Sequence, residues 1–166
     1  MLRLMLTFLA GAGIVLTAAC SESEGIELPT SAVQLQEAQV DTLLRAGNSG
    51  LSERERAVVR TEEEWIAFWE RLRGSLAPEP APPSVDFQEH MVIVAAMGSR
   101  PSGGFSIQVE GIHEDDGALH VVIHEQSPGR TCFVTAAITS PVVAVRVPRT
   151  DREVIFHERE SVRECR

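Results

Sequence analysis

The stretch Met91-Val92-Ile93-Val94-Ala95-Ala96-Met97-Gly98-Ser99-Arg100-Pro101-Ser102-Gly103-Gly104-Phe105-Ser106-Ile107 joins two strand patterns of different kinds. Met91–Met97 is an uninterrupted apolar run, the pattern of a strand covered on both faces. From Phe105 onward, Phe105, Ile107 and Val109 alternate with Ser106, Gln108 and Glu110, the pattern of a strand with one wet face. Between them Gly98, Pro101, Gly103 and Gly104 predict a tight connection that needs positive φ or a close backbone approach. A plain hairpin turn accounts for that composition. The alternative is a contact loop, because a glycine pair exposes consecutive backbone N–H groups with no side chain in the way. A two-residue turn needs only Gly103-Gly104, so the residues from Gly98 to Ser102 exceed what chain reversal demands. Pro101 stiffens the loop and Arg100 offers a forked donor. Arg100, Pro101, Ser102, Gly103 and Gly104 are therefore the candidate partner-binding loop.

Upstream of this stretch lies a helix signature. Thr61 is an N-cap residue with Glu64 three positions on, a capping box, and Glu62, Glu63 and Glu64 suit the positive end of the helix dipole. Trp65, Phe68, Trp69 and Leu72 recur at i, i+3, i+4 and i+7 and form one apolar stripe, which predicts a core-facing helix. Arg71 and Arg73 occupy its last turn, and Gly74 is placed to end it. Prolines at 78, 80, 82 and 83 make the next segment a stiff connector rather than a domain boundary.

The other segments read as strands and turns. Val40–Leu44 fits either a strand or a helical turn, and Arg56–Arg60 fits a short strand. His113-Glu114-Asp115-Asp116-Gly117 predicts a hairpin turn, and Leu119, Val121 and Ile123 alternate with His120, Val122 and His124. Ser127-Pro128-Gly129 predicts a turn, followed by apolar strands at Cys132–Ile138 and Val142–Val147 and a last short strand at Val154–His157. The sum is an α+β fold: a mostly antiparallel sheet of about seven strands, hairpin-connected and packed by one Trp-rich amphipathic helix.

Composition bounds the functional classes. The chain has 166 residues, 43% hydrophobic and 23% charged, enough for one domain with an ordinary core. A net charge of −9 with no offsetting basic patch argues against nucleic acid. At the N-terminus Arg3 precedes an apolar run from Leu4 to Leu16 and the small residues of Leu16-Thr17-Ala18-Ala19-Cys20, the layout of a secretory signal rather than a membrane span. This segment resembles a bacterial lipoprotein signal, in which Cys20 is lipidated and becomes the first mature residue. Ser21 after the cysteine leans, on that resemblance, towards the outer membrane. The expected organisation is a signal peptide over 1–19, a flexible acidic tether over 20–37 and a single domain over 38–166. In an oxidising compartment Cys132 and Cys165 are a reasonable disulfide pair, with free buried thiols as the alternative.

No G-x-S-x-G, H-E-x-x-H, P-loop or C-x-x-C motif is present. His120 and His124 share a strand face but stand about 13 Å apart, too far to bridge one metal. The expectation is no catalytic residue, no metal and no cofactor.

The segment from about Val58 to Phe156 resembles the C-terminal domain of the PrcB-type protease-complex subunit family. The resemblance rests on Glu63-Glu64-Trp65-x-x-Phe68-Trp69, Val85-Asp86-Phe87, Met91–Val94, Gly98–Ile107, Ser127-Pro128-Gly129 and Thr139-Ser140-Pro141. Ser102 and Phe105 stand where the family commonly shows threonine and tyrosine. It implies a non-catalytic, often lipidated extracytoplasmic protein whose partner is a protein such as a secreted protease. The alternatives are a loop-based protease inhibitor and a hydrolase with an unrecognised site.

Overall fold

The computed structural model describes residues 26–36, 39–72 and 81–165. The signal segment 1–19, Cys20, Arg73, Gly74, Pro78 and Pro80 lie outside the described residues. Eight strands and one helix follow the order β1 Val33–Gln34, β2 Asp41–Ala46, β3 Glu55–Val59, α1 Glu62–Arg71, β4 His90–Ala96, β5 Ser106–Glu114, β6 Ala118–Pro128, β7 Val142–Pro148 and β8 Glu153–Arg163. The class is α+β.

The strands form two four-stranded sheets, an inner one in the order β2-β7-β4-β3 and an outer one in the order β1-β5-β6-β8. The apolar run of β4 explains the layering. Met91, Ile93 and Ala95 point into a core shared with Ile107, Val121 and Ile123 of the outer sheet. Val92, Val94 and Ala96 point the other way, into a second core with Trp65, Phe68 and Trp69 of α1. The inner sheet is thus covered on both faces, and every residue from Met91 to Ala96 is 0% exposed.

The helix begins as its sequence predicts, with the Thr61 side chain accepting from the Glu64 N–H at 3.2 Å. The return bond of the box lands one residue early: Glu64 Oε2 accepts from the Arg60 N–H at 2.8 Å rather than from the cap itself. Trp65 stacks on Phe68 with centroids 5.7 Å apart, and its indole N–H donates to the Pro83 carbonyl at 3.0 Å. Both tryptophans are core residues, 2% and 6% exposed.

Several expectations are corrected. Of Val40–Leu44, open in sequence to strand or helical turn, all but Val40 belong to strand β2. Val33 and Gln34, inside the expected flexible tether, pair with Glu114 and His113 of β5, so ordered structure begins before residue 38. Strand β6 runs through Ser127 and Pro128, where a turn was expected. The short strand at Val154–His157 is an eleven-residue β8 that takes in the charged residues 158–163. It runs parallel to β6, because the chain leaves the outer sheet after β6, adds β7 to the inner sheet and returns. Consecutive strands joined by a tight turn occur only at β5–β6 among the described residues; the β2–β3 link joins opposite edges of the inner sheet, and the others change sheet or pass through α1. Cys132–Ile138, expected as a strand, belongs to neither sheet.

Candidate functional site

The loop after β4 is a crossover between sheets, not a hairpin turn. β4 pairs with β3 and β7, whereas β5 pairs with β1 and β6. Packed sheets stand about 10 Å apart, so the extra length from Gly98 to Ser102 serves the crossing. Gly98 has φ +74, and a Cβ there would lie 2.8 Å from the Arg54 nitrogen and the Ser52 carbonyl oxygen. The Ser99 N–H donates to that Ser52 carbonyl at 2.9 Å.

The rest of the loop is fastened to the segment that follows β6. Arg100 and Thr139 exchange backbone hydrogen bonds of 2.7 and 3.0 Å, and the Thr139 hydroxyl donates to the Ser102 carbonyl at 2.7 Å. The Gly103 N–H donates to the Thr135 carbonyl at 2.9 Å, so it is engaged within the chain. Gly104 has φ +86, and a Cβ on it would stand 2.8 Å from Val134 Cγ1 and 3.0 Å from Pro128 Cβ. Of the five candidate loop residues, Pro101 and Gly104 are exposed, and Arg100, Ser102 and Gly103 are half-buried.

Arg100 has a structural task. Its Nη2 donates to the Met97 carbonyl at 2.9 Å and lies 3.5 Å from Glu125. Glu125, only 5% exposed, also receives Arg54 Nε at 3.0 Å and Arg56 Nη2. Glu158 of β8 then bridges Arg54 at 2.9 Å and Arg56 at 2.8 Å. Three guanidinium groups and two carboxylates thus close the rim where the sheets meet. Burial opposes the charge on Arg56, but hydrogen bonds to Glu158 and Glu125 outweigh it and hold its pKa above the ordinary value. A cleft of about 110 Å³ beside Arg100, Phe105 and Glu125 is below the size of typical small-molecule sites.

The segment from 129 to 141 is the part of the site that sequence reasoning missed. Phe133 is 106% exposed and Ile138 73%, with Val134 exposed beside Gly104. No Asp or Glu occurs from residue 126 to residue 150, in a chain of net charge −9. Cys132 and Cys165 form a disulfide that ties the start of this segment to the end of β8. Together with the crossover loop it makes an acid-free tip, apolar from Phe133 to Ile138, at one end of the sandwich. The absence of acids was available in the sequence, and so was the glycine pair, though not its contact with this segment. The exposure was not, because an apolar run looks the same inside a sheet and outside one.

Four of the five histidines lie on the solvent side of the outer sheet, where chemistry would be sought. His120 Nδ1 and His157 Nε2 are 2.9 Å apart, and His120 Nε2 lies 3.2 Å from Asp115. Bonds from the Gly117 and Ala118 N–H groups, then from His120, hold the Asp115 carboxyl below its ordinary range. Burial, then the nearby His120 and His113, lowers the His157 pKa. His124 Nε2 lies 2.7 Å from the Ser161 hydroxyl, a spacing that invites comparison with a nucleophile and its base. The other ring nitrogen decides the matter. His124 Nδ1 faces the Arg159 guanidinium at 3.2 Å, a group that only donates, so Nδ1 accepts and Nε2 carries the hydrogen. The imidazole therefore donates to Ser161 and is in the wrong tautomer to take its proton. Among the described residues no group of three or more His, Cys, Asp or Glu side chains is arranged to hold a metal ion.

No curated protein matches the chain, and no solved structure does. A family model matches from β4 to β7, and so includes both halves of the tip while leaving out the Trp65–Trp69 helix. Residues 91–148 of the chain are similar to the family described as PrcB C-terminal.

Proposed function

We propose that the chain is a non-catalytic accessory subunit of a protease complex, held at the extracytoplasmic surface of the outer membrane by lipid on Cys20. The observation that carries this reading is the tip: Phe133, Val134 and Ile138 are exposed on a disulfide-tied, acid-free segment inside the PrcB-matched region. Scattered exposed apolar residues need no explanation, but a rigid uncharged cluster of them is the usual mark of a protein interface. Association with a protease complex is what the family supports.

The tether geometry favours a protein over the bilayer as the occupant of that tip. β1 runs antiparallel to β5 with Val33 opposite Glu114, so the preceding chain leaves beside Glu114, Asp115 and Asp116. The tip lies at the other end of β5 and β6, about 30 Å away at strand rise. From Cys20 to Val33 the chain spans at most about 45 Å. The tether thus joins the domain at its acidic end, and the apolar tip stands at the end remote from that attachment.

The test is affinity purification of the tagged full chain from its own cells. Wild type is expected in the membrane fraction with a protease-complex protein attached. Phe133→Ser with Ile138→Ser should release the partner while the domain stays folded, and Cys20→Ala should move the protein to the soluble fraction. Retention of the partner by the double variant would refute the assignment of the tip.

A further inference from the structure

The main chain of the tip is free. Among the described residues none of the backbone N–H groups from Phe133 to Ile138 has a hydrogen-bond partner within the chain. Of their carbonyls only that of Thr135 accepts a bond, from Gly103. The side chains of Phe133-Val134-Thr135-Ala136-Ala137-Ile138 are β-branched, aromatic or small, and none is charged. This is the composition of a strand with none of a strand's pairing. Nor is the segment loose, since the Cys132–Cys165 disulfide holds one end and the Arg100–Thr139 bridge the other. A segment confined at both ends loses little further freedom on docking.

We infer that the tip recognises its partner through the main chain, with Phe133–Ile138 adding as a strand to an exposed, uncharged sheet edge of the partner protein. This rests on the reading of the tip as the docking site and specifies what it fits. In strand addition the backbone ladder supplies affinity and alternate side chains supply specificity. Here Phe133 and Thr135 would face one side of the new pair and Val134 and Ala136 the other. The bend at Ala136 and Ala137 involves the smallest side chains of the run, so straightening it displaces only methyl groups. Charge points to the same kind of partner. A segment without acids, on a chain of net charge −9, matches an edge that is apolar rather than one guarded by charged side chains.

A second copy of the chain is the less suitable occupant. The exposed apolar part of the tip comprises Phe133, Val134 and Ile138, whereas a stable interface buries about 800 Å² on each partner. The contact is therefore one part of a larger interface made with a different protein.

The experiment uses the complex purified from its own cells with the full chain tagged, and reads amide hydrogen exchange over residues 132–139 with and without the partner. The expected result is slowing of exchange by about tenfold or more at the amides between Phe133 and Ile138. Ala136→Pro and Ala137→Pro are examined singly, one on each edge of the strand, and one of them should weaken the complex by about tenfold. Ala136→Ser, which keeps the amide, should leave it unchanged. Neither proline removes a hydrogen bond of the free domain, and unchanged thermal unfolding checks that. If Phe133→Ser releases the partner while exchange is unaltered and both proline variants bind as wild type, the docking site stands and strand addition is overturned. If the partner stays bound to Phe133→Ser with Ile138→Ser, or none co-purifies with wild type, both readings fall.

Discussion

Met91–Met97 and Cys132–Ile138 are two seven-residue apolar runs of one chain, alike in composition and opposite in fate. The first lies at the centre of the inner sheet with side chains 0–4% exposed, and the second lies outside both sheets with Phe133 at 106%. Neither run contains a charge or a proline, so local preference does not separate them. Their neighbours do. β4 receives β3 on one edge and β7 on the other, and its two faces meet two separate cores. In the finished fold β6 has β5 and β8 as neighbours, and the disulfide holds Cys132 at the end of β8. A run held away from both sheets stays at the surface, and there its apolar side chains become available to another molecule.

Substitution at matched positions should reproduce the contrast. Ile93→Ala opens a cavity between the sheets and should cost about 2–5 kcal/mol, read from the urea midpoint. A cost under about 1 kcal/mol would mean that the core at β4 is loosely packed.

Next in size is the disulfide. Cys132 and Cys165 are 33 residues apart, and opening that loop should cost about 3–4 kcal/mol in the chain-entropy model. Cys132→Ser with Cys165→Ser should lower the unfolding temperature and loosen the tip, and two alkylatable thiols in the unreduced mature protein would contradict the pairing.

Acidification should act on the outer sheet rather than on either apolar run. Burial and its histidine neighbours hold His157 below the ordinary imidazole value of 6.5, so the unfolded chain takes up that proton first. Stability is unaffected above that value, declines as pH falls towards the folded pKa, and is level below it. Asp115 adds a second step of the same sign, its contribution being present above 3.8 and lost as pH falls through its lower folded value. His157→Gln should flatten the upper step alone in unfolding midpoints between about pH 7 and about pH 5. An unaltered profile would show that the histidine contact does not form.

The smallest effect completes the comparison. Ile138→Ala, with its side chain 73% exposed, should change stability by under about 0.5 kcal/mol. A larger loss would mean that the tip is packed against something in the isolated domain.

Much of the architecture was legible before any coordinates. The Thr61 cap, the Trp65–Leu72 stripe, the two-faced run of β4 and the Asp115–Gly117 hairpin each carry a local signal, and each is present. The expected pair Cys132 and Cys165 is bonded. What was not legible depends on residues distant in sequence. Nothing near Glu158 shows that its charge lines the rim of a sandwich facing Arg54 and Arg56. Arg100 was singled out as a free donor, and its engagement by Met97 and Glu125 appears only once the sheets are stacked. Gly103 likewise uses its N–H on Thr135, a partner thirty-two positions on. The candidate loop was thus found by its composition, while the bonds by which it braces the segment after β6 were not.

The interleaving of the two sheets sets the order in which this domain assembles. Strand β2 has a single neighbour, β7, and Asp41 meets Arg146 across a separation of 105 residues. Strand β8, the last to be made, supplies Glu158 to the rim and Cys165 to the disulfide. No portion of the chain ending before Val142 can complete either sheet, and the outer sheet waits for β8 itself, so a chain still being made stays without its full native fold until the final strand is delivered. Formation of the Cys132–Cys165 disulfide therefore records that assembly has finished, and a nascent chain stopped before Val142 offers a protease an unprotected substrate.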